Sequence, residues 1–356
     1  METLLLVVLV GAAVVQAGYW VLLFAKLRPT TPTAELTREH SIVVCYKNEA
    51  ANLPTLLQHL SAQQSEEVIL VDDFSTDGSY SLVEDYDSPK LKAVKATSDR
   101  PGKKAALYDG VKAAKQNTVV LTDADCTPAS SHWSALMAAQ LGQHSAVLGY
   151  APMAKQSGII PTFARYETWL TAVQYMSYAL AGSPYMGVGR NMTISQAAAI
   201  PVLANMQSHQ LASGDDDLLI QGITGTVGIC TESRTYVYSD PPASYKSYMS
   251  QKGRHMTTST HYRPLHQLLL GLFAASHMLT YLAAIGLLAL TNVPSIIVVG
   301  ILVTKWTVQQ LINRRLMAIL DEKDLWWKFP LLDIATFVYY MVMTPLLMMK
   351  NKSTWS

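Results

Sequence analysis

The chain has long uncharged segments near its two ends and a middle in which polar and apolar residues alternate. Thr3 to Ala25 contains no charged residue, and Lys26 and Arg28 follow it. This run is long enough to cross a bilayer, which takes about 20 apolar residues. A cleaved signal peptide would have basic residues before a shorter apolar core. The pattern therefore predicts a retained transmembrane anchor, which we place at residues 1–29.

The C-terminal third contains a second and longer apolar region. Pro264 to Thr304 has no Asp, Glu, Lys or Arg, and the sequence TNVPS at Thr291–Ser295 interrupts it. We predict two membrane helices joined by a tight turn at this point. The second helix is expected to run past Lys305, whose long side chain can snorkel toward the interface. A last span is predicted near Phe329–Met349 in spite of Asp333 near its start, so the chain is expected to have about four membrane helices.

In the middle of the chain, short β-branched runs alternate with segments of helical spacing. Strands are predicted at Ser41–Tyr46, Glu66–Asp73, Lys90–Ala96, Asn117–Asp125 and Ser145–Met153. Helices are predicted at Asn52–Gln63 and Lys103–Lys115. Such alternation is typical of an α/β fold, a Rossmann-like and mostly parallel sheet that helices cover on both faces. We assign this domain to residues 30–262 and the C-terminal membrane helices to residues 263–356.

Acidic and polar residues follow three of the predicted strands, at Tyr46–Glu49, Asp72–Asp77 and Asp123–Asp125. Ligands of open α/β sheets bind outside the carboxyl ends of the strands, so these residues are expected to share one cleft. Asp123 and Asp125 can both reach a point just beyond their strand, where hard oxygen ligands favour Mg²⁺ or Mn²⁺. The alternative is that Asp123 caps the next helix and Asp125 is a solvated turn residue.

Composition excludes several classes of protein. The net charge of +1 argues against general nucleic-acid binding. Three cysteines without paired spacing form neither a disulfide framework nor a zinc site. No G-x-G-x-x-G follows the first predicted strand, which excludes a dinucleotide-binding dehydrogenase.

Six fragments stand in a fixed order along residues 40–256: YKNEAANL at 46–53, VDDFSTDGS at 71–79, GKKAAL at 102–107, TDADC at 122–126, GDDDLL at 214–219 and QKGRH at 251–255. With the apolar segments on either side, they resemble family-2 glycosyltransferases, the inverting enzymes of GT-A fold. The resemblance is greatest to the membrane-embedded branch that includes hyaluronan synthase, cellulose synthase and ceramide glucosyltransferase. One departure is His255, where the family has a tryptophan at the acceptor entrance.

The resemblance implies a nucleotide-sugar donor, with UDP as the default carrier, and a Mg²⁺ or Mn²⁺ ion held by Asp125 with Asp123 nearby. It implies that Tyr46 stacks on the base, that Glu49 and Asp73 accept hydrogen bonds from its edge, and that Asp72 binds the donor or holds the loop. The residues expected near the diphosphate are Lys103, Lys104, Asp123, Gln251 and Arg254. Without a ligand, Tyr46 would be an ordinary aromatic at a strand end, and the two lysines a solvated helical turn.

On the acceptor side, the resemblance selects Asp216 as the catalytic base. Without it, the three aspartates of GDDDLL would be favourable charges at a helix start. The glycine-rich stretch SPYMGVGRNM, Ser183–Met192, is assigned to the acceptor pocket. The acceptor-side residues are Gly189, Arg190, Asp215 and His255. Aromatic residues in Phe163–Tyr178 suit either a membrane interface or a core face.

Basic residues next to the spans favour the cytoplasmic side of a membrane. The residues that place the middle domain there are Lys26, Arg28, Lys246, Lys252, Arg254, Arg263, Arg314 and Arg315. We therefore predict an integral protein of a bacterial inner membrane with its catalytic domain in the cytoplasm. It would transfer a sugar from a nucleotide sugar to a lipid or lipid-linked acceptor. The alternatives are a processive polysaccharide synthase, whose pore would want more helices, and an inactive nucleotide-sugar-binding scaffold.

Overall fold

The computed structural model describes residues 1–30, 36–37, 39–98, 102–206, 214–249, 252 and 260–349, with side chains as far as Val342. The chain divides into two compact units. Met1–Arg28 and the described chain from Tyr262 onward form one, which we call the helical unit. Pro29–His261 form the other, the sheet unit. Gln251, Arg254 and His255 of the predicted site lie outside the described residues.

Helices and strands alternate through the sheet unit, and long helices make up the helical unit. The α-helices bounded within the described chain are α1 Glu2–Gly18, α2 Leu53–Ser61, α3 Ser79–Glu84, α4 Lys103–Ala113, α5 Trp133–Ala139, α6 Ile159–Leu180, α7 Gln196–Met206, α8 Asp215–Gly222, α9 Pro264–Leu290, α10 Ser295–Ile319 and α11 Phe329–Met349. The strands are β1 Ser41–Tyr46, β2 Glu67–Asp72, β3 Leu91–Lys95, β4 Thr118–Asp123, β5 Cys126–Pro128, β6 Ala146–Gly149, β7 Met192–Ser195, β8 Val227–Cys230 and β9 Val237–Ser239.

Within the described residues, the main sheet has seven strands in the order β3-β2-β1-β4-β7-β6-β8, and β5 pairs with β9 in a small second sheet. Every residue of β1 and β2 is buried, as expected for parallel strands covered on both faces, which read as continuous apolar runs. The predicted α/β fold is confirmed, and the five predicted strands are all present. The pairing differs in one respect: β7 lies between β4 and β6 and runs antiparallel to both.

Three helical segments of the described chain are long and apolar enough to span a membrane, namely Glu2–Lys26, Pro264–Leu290 and Ser295–Ile319. The first of these is α1 continued by a π-helical turn, Tyr19–Leu23, and a 3₁₀ turn, Phe24–Lys26. The predicted hairpin between the second and third is confirmed, since α9 ends at Leu290 and α10 begins at Ser295. The last predicted segment forms α11, with 21 residues. At 1.5 Å per residue α11 is about 30 Å long, and its crossing of the membrane stays a prediction.

Lys305 does not extend to an interface, so that prediction is wrong. Its side chain is buried, and its ammonium lies 2.6 Å from Oδ2 of Asp333 on α11. Trp306 donates its indole N–H to the same oxygen at 3.0 Å, and the Tyr281 hydroxyl of α9 donates to it as well. His277 Nδ1 lies 3.7 Å from the other carboxylate oxygen. Asp333, a charged residue within an apolar segment, is thus paired with a lysine from the preceding α-helix.

Candidate active site

The sheet brings the predicted strand ends to one edge. Tyr46, the last residue of β1, lies opposite Asp72, and Cys45 lies opposite Asp123. The antiparallel strand β7 reaches the same edge with its first residue, because Met192 pairs with Leu121. The glycine-rich segment that precedes β7 therefore lies at the carboxyl ends of β1, β2 and β4. A parallel strand in this place would have brought its other end to the cleft.

Lys103 begins α4 and lies among the carboxylates of this edge. Its Nζ is 2.7 Å from Asp123 Oδ1 and 3.8 Å from Asp215 Oδ2. Burial alone would lower the pKa of Lys103, but Asp123 and Asp215 outweigh it and hold that pKa well above its usual value. The lysine is therefore a fixed positive charge beside Asp123, as predicted for a group near a diphosphate.

Asp215, Asp216 and Asp217 form the first turn of α8, where the helix dipole favours negative charge. Gly214, just before them, is in the left-handed conformation with φ of 83°, which glycine adopts without steric cost. Asp215 and Asp217 are each only 6% exposed, whereas Asp216 is half-buried. Burial and the neighbouring Asp216 carboxylate raise the pKa of Asp215 in spite of Lys103. Of the three, Asp216 is the one open to a reactant.

A small cavity, open to solvent, joins these groups. Its polar lining is Lys103, Thr122, Asp123, Asp215 and Asp216, with Gly189 beside them. The main-chain N–H of Gly189 donates to Asp216 Oδ2 at 2.9 Å. The structure thus brings together the predicted base, one predicted metal ligand, one predicted diphosphate contact and the glycine-rich segment.

The carboxylates suit a divalent cation. Asp125 is exposed and Asp123 is partly exposed. Glu49 lies close enough that burial, together with Asp125 and Asp123, raises its pKa. Within the described ranges no three His, Cys, Asp or Glu side chains converge on one point. Mg²⁺ is nevertheless usually bound by one or two protein carboxylates, and substrate phosphates and water supply its other ligands. Asp123 and Asp125 therefore fit the predicted ion.

Tyr46 does not stack on a base, because only 1% of it is exposed. Its ring belongs to a core cluster that includes Leu53 of α2 and Val83 of α3. The alternative, an ordinary aromatic at a strand end, is therefore correct. The sequence identified the strand end but could not show which way this ring turns.

Asp73 is a second correction, since its carboxylate is fully buried. Its Oδ1 accepts the N–H of Gly102 at 2.8 Å, so it braces the lysine segment and does not meet the edge of a base. Asp72 accepts the Ser75 N–H at 3.3 Å, in keeping with a role in holding its own loop. Lys104 is 8% exposed, and burial lowers its pKa. It therefore does not share the open position of Lys103.

Arg190 and Asn191 fix the end of the glycine-rich segment. Arg190 donates to the Ala151 carbonyl at 3.1 Å and to the Ser239 hydroxyl. Both terminal nitrogens of its guanidinium are therefore hydrogen-bonded within the sheet unit. Asn191 is fully buried and donates to the carbonyls of Tyr150 at 2.7 Å and Thr235 at 2.8 Å. Its role was not predicted, although an asparagine directly after the glycines is the signal that marks it.

Four of the five aromatic residues of α6 form a core face, and Phe163 is partly exposed. Those buried in the sheet unit are Tyr166, Trp169, Tyr175 and Tyr178. The Tyr175 hydroxyl donates to the Gly149 carbonyl at 2.7 Å, which ties α6 to the end of β6. Of the two alternatives left open by the sequence, the structure selects the packed one.

Comparison with known proteins agrees with this fold. The mannosyltransferase PcManGT from Pyrobaculum calidifontis, solved in complex with GDP-Man and Mn²⁺, superimposes with a TM-score of 0.55. The two sequences are 18% identical, and the match covers 96% of this chain and 98% of that one. At this level of identity the likeness shows the fold alone, a GT-A fold.

A relative in sequence is the undecaprenyl-phosphate 4-deoxy-4-formamido-L-arabinose transferase of Aeromonas hydrophila subsp. hydrophila. It is 39% identical over 93 residues, which make up 24% of this chain and 28% of the relative. The match thus spans less than a third of the relative's length. A sequence model of the family Glycosyl transferase family 2 matches residues 41–181, which include the first four fragments but not GDDDLL or QKGRH. Residues 41–181 are therefore similar to the glycosyltransferases of family 2.

Proposed function

We propose that the protein is an inverting, metal-dependent membrane glycosyltransferase that moves a sugar from a nucleotide-sugar donor to a hydroxyl of a lipid or lipid-linked acceptor. The observation that carries the proposal is the arrangement around the cavity. The half-buried Asp216 faces it from α8, and the ion pair of Lys103 with Asp123 faces it from α4 and β4. A proton acceptor and a cationic group thus lie on one cavity, as transfer from a diphosphate requires.

On the donor side, the reaction breaks the bond between the anomeric carbon and a diphosphate oxygen, which leaves negative charge on the phosphates. Lys103 supplies fixed positive charge there, and preorganised charge is usually the largest contribution to catalysis. Asp125 and Asp123 would hold Mg²⁺ or Mn²⁺, and the ion would supply Lewis-acid stabilisation of the leaving group. Asp73 and Gly102 keep the start of α4 in place.

On the acceptor side, a hydroxyl must lose its proton as its oxygen attacks the anomeric carbon. Asp216 accepts that proton, a contribution of about 10²–10⁴-fold in typical enzymes. One direct displacement by the hydroxyl oxygen inverts the anomeric carbon and releases the nucleoside diphosphate. A phosphate monoester is largely deprotonated at neutral pH, since its second pKa is about 6. A phosphate acceptor would thus have little need for a base, so an open carboxylate at this position supports a hydroxyl acceptor.

A membrane-resident acceptor is supported by the helical unit, in which three helical segments of the described chain are long and apolar enough to hold the protein in a bilayer. The relative from Aeromonas hydrophila, by its name, acts on a lipid phosphate, which supports a lipid acceptor here without specifying its nucleophile. We place the sheet unit on the cytoplasmic face of a bacterial inner membrane, because the basic residues flanking the spans favour that side.

The test is an incubation of detergent-purified protein with several nucleotide sugars and one acceptor class at a time. The acceptors are a membrane lipid extract, a lipid with a free hydroxyl, a polyprenyl phosphate and soluble sugars, and the products are identified by mass. We expect a lipid product that carries one or a few sugars on a hydroxyl. A soluble acceptor used equally well, or a product of many sugars, would overturn the proposal in favour of another acceptor class or a polysaccharide synthase.

Chelation is expected to abolish turnover, and Mg²⁺ or Mn²⁺ to restore it, because two carboxylates beside a diphosphate repel it unless a cation bridges them. Asp125→Asn should raise the metal concentration for half-maximal activity by about tenfold or more, since a carboxylate is the ligand that Mg²⁺ prefers. Asp109→Asn is the matched control, because it makes the same change at a carboxylate that does not line the cavity and that accepts a hydrogen bond from the Thr97 N–H. Full activity in excess chelator would show that no metal takes part.

A further inference from the structure

Asp217, which follows the proposed base, connects α8 to the glycine-rich segment through a hydrogen bond from the Gly187 N–H. We propose that Asp217, with Gly187, is a positioning residue that fixes the segment Ser183–Asn191, here called the glycine loop, on the first turn of α8. This contact holds Asp216 and the loop in the arrangement that the transfer needs. The inference rests on the proposed function, in which Asp216 accepts the acceptor proton.

Two main-chain amides of the glycine loop donate to two consecutive aspartates of α8. The Gly187 N–H donates to Asp217 Oδ1 at 3.2 Å, and the Gly189 N–H donates to Asp216 Oδ2 at 2.9 Å. Asp217 is 6% exposed, so its bond to the loop is shielded from water. Hydrogen bonds to charged groups are among the stronger ones in proteins. The pair of bonds therefore aligns the loop with the side chain of the proposed base.

The main chains of Gly187 and Asp216 are in close contact, which leaves little freedom in how the glycine loop lies on α8. A Cβ atom placed on Gly187 would lie 2.5 Å from the carbonyl oxygen of Asp216, 2.7 Å from its carbonyl carbon and 3.0 Å from its Cβ. The first two are distances that real Cβ atoms essentially never show, and both are to main-chain atoms, which cannot rotate away as the end of a side chain can. Glycine at position 187 is thus required by the approach of the loop to α8.

The far end of the loop cannot absorb a displacement. Asn191 is held by its bonds to Tyr150 and Thr235, and Trp133 donates to its side-chain oxygen at 3.0 Å. The next residue begins β7 inside the sheet. A change at Gly187 or Asp217 must therefore move the loop relative to Asp216, and a misplacement of about 1 Å can cost about 100-fold in rate.

The role assigned to Asp217 needs only a hydrogen-bond acceptor. Asparagine keeps the side-chain oxygen that receives the Gly187 N–H, whereas alanine does not. We expect Asp217→Ala to lower kcat by about tenfold or more through misplacement of the base. The donor KM should change little, because the donor side is built on α4 and β4. Asp217→Asn should keep kcat within about threefold of the wild type, since the hydrogen bond survives without its charge.

A glycine pair provides the control for effects on folding. Gly187→Ala is expected to lower kcat by about 10- to 100-fold. Gly222→Ala changes the last residue of the same helix, where a Cβ would lie 2.5 Å from Cγ1 of Val202. This contact is equally short but meets a side chain on α7, away from the cavity. It should lower the thermal midpoint while kcat per folded molecule stays unchanged. The folded fraction of every variant is measured by circular dichroism, and donor binding by calorimetry.

Each outcome separates the inference from the proposed function. If Asp217→Ala and Gly187→Ala both retain wild-type kcat, positioning by this contact is overturned, whatever Asp216→Asn does. If Asp217→Asn is as inactive as Asp217→Ala, the charge of Asp217 is required and the positioning role is again wrong. If Asp216→Asn is fully active, the proposed function fails independently of the glycine loop. Loss of kcat in the alanine variants with recovery in Asp217→Asn supports the inference.

Discussion

Asp216→Asn is expected to reduce turnover by about 100-fold or more while nucleotide-sugar binding is retained. The amide has the shape of the carboxylate but cannot take a proton. A 100-fold loss corresponds to about 2.7 kcal/mol in the activation barrier. The Gly189 N–H can still be accepted by the amide oxygen, so the cavity should keep its geometry. The measurements are kcat with a hydroxyl acceptor and the donor dissociation constant by calorimetry.

The neighbouring aspartates provide the comparison for this variant. Asp217→Asn should remain active for the reason given above. Asp215→Asn removes a charge from the ion-pair network of Lys103, which lies 3.8 Å from it, and should act mainly through the donor side. If Asp216→Asn turns over at the wild-type rate while Asp215→Asn is inactive, the base has been assigned one residue too late.

Asp333→Leu is expected to destabilise the helical unit by about 3–5 kcal/mol, the usual effect of removing one partner of a buried ion pair. Lys305 would remain buried with its charge uncompensated, and Tyr281 and Trp306 would lose the oxygen to which they donate. The double variant Lys305→Met/Asp333→Leu should recover much of the loss, because neither charge is then left alone. The two single variants, Lys305→Met and Asp333→Leu, and the double variant are compared by equilibrium unfolding in mixed detergent micelles.

The prediction is decided by the coupling free energy between Lys305 and Asp333, obtained from the free energies of unfolding of the single and double variants. Ile334→Leu is a suitable control, since it changes a partly exposed neighbour of Asp333 and keeps the side-chain volume. If the effects of Lys305→Met and Asp333→Leu simply add in the double variant, the ion pair makes no specific contribution to stability. The pair would then be a contact of the helices and not a cause of their association.

Local pattern was enough for much of the fold. The runs that became β1, β2 and β4 are rich in β-branched residues and are buried on both faces, so their ends could be predicted within one or two residues. The strand β7 was missed because Met192–Ser195 has only four residues and no alternation of its own. Its antiparallel direction depends on the path of the chain through α6, which a local pattern does not contain.

The wrong predictions, in the site and in the helical unit, concern the directions of side chains and partners that are distant in sequence. Tyr46 and Asp73 stand at the predicted strand ends, but both side chains are buried, and Asp73 is bonded to Gly102, 29 residues further along the chain. Lys305 was assigned to an interface because its partner Asp333 is 28 residues away. Asp123 and Lys103 do lie at the edge of the sheet, because their positions along the chain already restrict them to it. Asp216 was selected by the family resemblance, and its role as the base stays a prediction.

The pairing of Lys305 with Asp333 has a consequence for how the protein is made. On insertion scales, an aspartate or lysine alone at the centre of a membrane helix costs about 2.5–3.5 kcal/mol. Lys305 is synthesised first, and its charge stays uncompensated until α11 leaves the ribosome. The two helices are therefore expected to enter the bilayer as a pair, with α10 retained beside the insertion machinery until Asp333 arrives. In a nascent chain that stops before residue 333, α10 should still crosslink to the insertion machinery, whereas in one that extends beyond α11 it should crosslink to lipid instead.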